Sequence, residues 1–103
     1  MHLISVLLPL YDNDGQPLAR DLFRDVATEL TTAFGGLTAH TRAPAQGLWQ
    51  TRDESSPVRD DLVIYEVMVE SLDRQWWSSY RRKLEQRFRQ EHVLIRASQV
   101  ELL

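Results

Sequence analysis

Cysteine is absent from the 103 residues. This removes disulfides, thiolate metal sites and a cysteine nucleophile. An excess of positive charge is missing too. Twelve Lys and Arg stand against fifteen Asp and Glu, a formal charge of -3, so the overall balance favours no nucleic-acid partner. No hydrophobic run is long enough to cross a bilayer. The apolar stretch Met1 to Leu10 is too short for that, and it lacks the basic region and small-residue cleavage site of a secretory signal. It reads as a buried strand, and the expectation is a cytoplasmic protein with no membrane partner. His2 and His92 are far apart in sequence, so a metal site is not expected, and no cofactor is expected.

What is present suffices for one domain. A chain of this length buries about 65% of its unfolded surface, enough for a modest core without staples. The clearest strand signal is Leu62 to Glu70. Side chains alternate along a strand, so Val63, Tyr65, Val67 and Val69 form an almost wholly apolar face. Leu62, Ile64, Glu66, Met68 and Glu70 form the other, which is too apolar for solvent and too acidic for a core. Such a strand is expected at the centre of a sheet whose second face meets something else.

Leu3 to Leu8 reads as a second buried strand by its length and its Ile, Val and Leu content. Asp12-Asn13-Asp14-Gly15 then turns the chain. From Pro17 the period lengthens to that of an amphipathic helix, with Leu18, Leu22, Val26 and Leu30 inward and Asp21, Asp25 and Glu29 on a solvated face. Pro17 suits its first turn and Gly35-Gly36 its end. Leu37 to Arg42 alternates, Pro44-Ala45-Gln46-Gly47 interrupts it, and Leu48 to Thr51 reads as extended again. That predicts an edge strand bent in the middle. The polar segment Arg52 to Pro57 returns the chain to Leu62, making a hairpin.

Asp73 is placed to cap a second helix, with Leu72 and Trp77 spaced as a hydrophobic staple. Trp77, Tyr80, Leu84 and Phe88 give its core stripe. Arg81, Arg82, Lys83, Arg87 and Arg89 lie on its polar side, and Glu85 and Arg89 are spaced as an ion pair. Val93 to Ala97 is a last strand, and residues 98–103 prolong it, cross to a partner or fray. The order strand, helix, strand, strand, helix, strand specifies an α+β ferredoxin-like sandwich as a single domain over 1–103. Four antiparallel strands carry both helices on one face, with the first and third strands central.

Four segments resemble small bacterial proteins of uncharacterised function with a ferredoxin-like fold: Gly35-Gly36-Leu37-Thr38, Gly47-Leu48-Trp49, Glu66-Val67, and Arg87 to Arg96. More loosely, size and strand order are similar to the dimeric α/β barrel superfamily. That resemblance implies a homodimer built by pairing the open faces of two sheets. It assigns no catalytic residue.

The open face is therefore where a site is expected. His40, Trp49, Glu66 and Arg96 are its candidate ligand-binding residues. A histidine, a carboxylate and a guanidinium in a half-apolar pocket can hold a small anion or move a proton. Glu66 with Arg96 reads first as an ion pair at an interface, and second as part of a ligand site. Leu62, Ile64, Met68 and Leu94 are the expected dimer contacts. The sheet lacks the exposed aromatic pair on which such folds stack RNA bases, and Glu66 and Glu70 repel phosphates, so no nucleic-acid partner is expected. The leading reading is a homodimer that binds a small molecule or partner on this face. The alternatives are a cofactor-free oxygenase or isomerase, and a plain interaction module.

Overall fold

Alternation and helical periodicity fall where the backbone needs them, and six elements result. In a computed structural model they are β1 (His2–Pro9), α1 (Arg20–Phe34), β2 (Thr38–Trp49), β3 (Val58–Val69), α2 (Arg74–Arg87) and β4 (Leu94–Gln99). The structure describes residues 1–49 and 58–103, with side chains over 1–40 and 62–103. The expected turn at Arg52 to Pro57 lies outside the described residues.

The sheet is antiparallel, in the order β2-β3-β1-β4. The two strands with the most apolar sequences are the central ones. Along β1 burial alternates: Ile4, Val6 and Leu8 are fully enclosed, while Leu3, Ser5 and Leu7 on the other face are half-buried. β3 repeats this, with Val63, Tyr65, Val67 and Val69 in the core. Leu18, Val26 and Leu30 join them from the α1 side, and Trp77, Tyr80, Leu84 and Phe88 from the α2 side. β2 is irregular where its proline falls, whereas Gly47 pairs regularly with Asp60. Its pairing with β3 shifts register between His40 and Ala45.

α1 starts later than its stripe suggests. Pro17 is outside the helix, paired with Tyr11 in an isolated bridge, and the Leu18 amide donates to the Leu10 carbonyl at 3.0 Å. These bonds keep Leu18 outside the helix, although it is buried. The helix begins at Arg20 without a side-chain cap and ends on Gly35 at φ 80°, a conformation glycine adopts at little cost. α2 starts as expected: the Asp73 carboxylate accepts from the Trp76 amide at 3.0 Å.

The topology carries a direct expectation. Amide exchange should be slowest in β1 and in the stretch of β3 from Leu62 to Val69, each paired on both sides for part of its length. Slower exchange in β2 than in β1 would contradict the strand order.

Candidate functional site

The face of the sheet turned away from the helices is the candidate site. Its residues follow from the register. Thr38, Glu66, Ser5 and Arg96 stand in one row across all four strands. His40 and Ile64 are paired, as are Leu7 with both Ile64 and Leu94, and Leu3 with Met68. In this structure Leu3, Leu7, Leu62 and Ile64 are half-buried. Met68 and Leu94 are 38% and 53% exposed. The face thus carries apolar side chains around a polar row, as its sequence foretold.

Within that row the structure brings two of the candidates together. His40 Nε2 meets Glu66 Oε1 across β2 and β3. They are diagonal neighbours, since Glu66 pairs with Thr38 and His40 with Ile64, and diagonal residues are within reach of long side chains. The Glu66 side chain is 24% exposed and that of His40 50%, so the pair sits at the surface with its carboxylate partly sheltered. The imidazole can donate to the carboxylate or, when protonated, form an ion pair with it. A carboxylate so held can accept a further hydrogen bond or face a cation.

Arg96 does not join them. Glu66 and Arg96 both flank Ser5, which sets their strands about 10 Å apart. Their ion pair is not formed among the described residues. Arg96 also borders a cleft between β4 and α2. The side chain of Trp49 lies outside the described residues. Its backbone pairs with Val58 beyond the bulge.

One polar cluster was not legible in the sequence. Glu29, expected on a solvated stripe, bridges the two helices. Arg87 donates to both its oxygens, at 2.6 and 2.8 Å, and the Tyr80 hydroxyl donates at 2.9 Å. This is the bidentate geometry that makes arginine–carboxylate pairs strong. The Arg87 hydrogen bond holds the Glu29 carboxyl below its ordinary pKa, against a smaller opposing effect of burial. Burial, followed by the bond to Glu29, pushes the Tyr80 hydroxyl far up. Only the spacing of Glu29 opposite a basic helix hinted at this, and that required knowing the packing. Glu85 behaves differently from expectation too. Arg89 falls beyond the helix with φ 51°, so Glu85 instead accepts from the Val93 amide at 3.0 Å and from Arg81 at 3.4 Å.

The Glu29 cluster gives a pH dependence. A carboxyl with a lowered folded pKa stabilises the fold fully above its unfolded value, here 4.5, and that contribution is lost as pH falls through the folded value. Thermal unfolding of wild type and Glu29→Gln should therefore differ near neutral pH, and the difference should shrink on acidification below 4.5. A difference independent of pH would remove the carboxylate from this role.

Among the described residues no helix is long and apolar enough to cross a membrane. Nor do three or more His, Cys, Asp or Glu side chains there gather as a metal site.

No protein-family model matches the chain, and no curated protein matches it either. Solved structures do. A phage SAM lyase in complex with S-methyl-5′-thioadenosine is similar at 13% identity and TM-score 0.58, covering 94% of this chain and 79% of that one. The apo state of a phage SAM lyase is similar at 13% identity and TM-score 0.59, with 94% and 78% covered. At this identity the likeness establishes the α+β fold.

Proposed function

We propose that this protein binds a small molecule on the open face of its sheet, at the His40–Glu66 pair, and that it does so as a homodimer whose open faces meet. The observation that carries this is the pair itself: a partly sheltered carboxylate fixed by an imidazole, amid apolar side chains that no layer among the described residues covers. Sites of this kind combine an apolar lining with a few positioned polar groups.

The ligand class follows from joining that chemistry to the fold. The similar phage protein is a SAM lyase seen with S-methyl-5′-thioadenosine, a nucleoside thioether. Glu66 supplies the negative charge that a sulfonium centre seeks, and Ile64, Leu7 and Leu62 supply apolar contact for a flat, weakly polar body. The proposed ligand is therefore an adenosyl sulfonium or its thioether product. The sulfonium should bind more tightly, because only it carries the charge that Glu66 complements.

Calorimetric titration with S-adenosylmethionine and with S-methyl-5′-thioadenosine tests this. Saturable binding of the sulfonium is expected, weakened roughly tenfold or more in Glu66→Gln, the scale of a charge-assisted contact. His40→Ala should weaken it less, because His40 acts by holding Glu66. Absence of binding by either compound, or affinities unchanged in Glu66→Gln, would overturn the assignment.

A further inference from the structure

A second cleft lies on the other side of the molecule, between α2 and the edge strand β4, with a volume of about 370 Å³. Its polar side-chain lining is Arg74, Ser78 and Arg81 from α2, its apolar lining includes Trp77 and Ile95, and β4 borders it along 95–97. Arg74, Ser78 and Arg81 follow at four- and three-residue spacing, which puts them on one face of the helix. Two guanidiniums, those of Arg74 and Arg81, thus border one small cleft, and no carboxylate is among its described lining residues.

These cations are poorly neutralised by the fold. Arg81 has a long contact to Glu85, at 3.4 Å, through the same oxygen that the Val93 amide already occupies at 3.0 Å. Arg74 stands in the first turn of α2, which contains no acidic residue. A cation there opposes the helix dipole and is unfavourable for the helix itself. By contrast Arg87, on the same helix, is fully engaged by Glu29. The arginines of the cleft therefore have donor capacity to spare.

We propose that this cleft binds a small phosphorylated molecule with an apolar or aromatic portion. The guanidinium fork matches phosphate oxygens, which makes arginine a preferred residue for phosphate recognition. Ser78 adds a hydroxyl donor, and Leu72, Trp77 and Ile95 receive the apolar portion. The volume suits a ligand at the smaller end of the range for small-molecule sites. The site is independent of the His40–Glu66 pair and does not rest on the function proposed for it.

Backbone amide NMR with phenyl phosphate as the probe, and phenol as its uncharged counterpart, tests the proposal. Phenyl phosphate should shift signals from 74–81 and 94–97 saturably, and phenol should do so at least tenfold more weakly, the scale of a lost charge-assisted contact. Arg74→Ala combined with Arg81→Ala should weaken phenyl phosphate by a similar factor, while Glu66→Gln leaves it unchanged. If the double variant folds poorly, added sodium chloride on the wild type gives the second measurement, and binding should weaken as salt rises. Equal shifts by phenol, shifts outside the cleft, or insensitivity to salt would each overturn the assignment. So would the absence of shifts, or shifts produced only by an oligoribonucleotide and spread over Arg82 and Lys83.

Discussion

Replacing Phe88 by alanine is expected to remove about 3–5 kcal/mol of folding stability, the range for a fully enclosed aromatic side chain. Phe88 is completely buried and meets Phe23 of α1 edge-on, with ring centroids 5.3 Å apart. Its loss would leave a cavity between the two helices and the sheet and also break that aromatic contact. A domain of this size has roughly 5–15 kcal/mol in total, so the variant should lose a large share of its stability. Leu84→Ala, one turn earlier and equally buried, should cost about 2–5 kcal/mol. Gln86→Ala, exposed between them, should lie within about 0.5 kcal/mol. Chemical denaturation of the three variants checks the set. Comparable losses at Gln86 and Leu84 would mean that α2 faces the sheet differently.

The second large effect is on assembly. Ile64→Asp should raise the dissociation constant of the proposed dimer by roughly a hundredfold or more. A charge buried without a partner costs about 3–5 kcal/mol, and each 1.4 kcal/mol is about tenfold in affinity. The strand pairing puts Leu3, Leu7, Leu62, Ile64, Met68 and Leu94 on one face, opposite the core. Monomeric proteins rarely leave large contiguous apolar patches open. A second copy about a two-fold axis is the simplest complementary cover. Ile64 is paired with Leu7 and His40, away from the helices, so the substitution should act on association more than on folding. Sedimentation equilibrium should give twice 12.0 kDa for the wild type and the single-chain mass for Ile64→Asp. A single-chain mass for the wild type at high concentration would remove the dimer and leave the open face for another cover.

The segment Arg87 to Arg96 proves to be largely architectural. Arg87 ties α2 to Glu29, Phe88 fills the core, and the Gln90 side chain donates to the Phe88 carbonyl at 3.1 Å. These contacts specify how the helix leaves the core and enters β4. They contribute nothing to the open face until Leu94 and Arg96.

Fold, strand order and the two-faced character of β3 were determined by the sequence alone, because each rests on local period. Alternation set the faces of β3, apolar content marked β1 as buried, the four-residue stripe set α1, Asp73 set the start of α2, and Pro44 set the break in β2. Side-chain partners were decided only by the tertiary structure. Glu29 lies on α1 and Arg87 on α2, and no spacing along the chain encodes the contact between them. His40 and Glu66 meet because the pairing of β2 with β3 makes them diagonal neighbours, whereas Arg96 is held away by the one strand between, β1. The start of α1 was likewise a tertiary decision. The bond from Leu18 to Leu10 and the bridge from Tyr11 to Pro17 outweigh a helical stripe that the sequence begins three residues early.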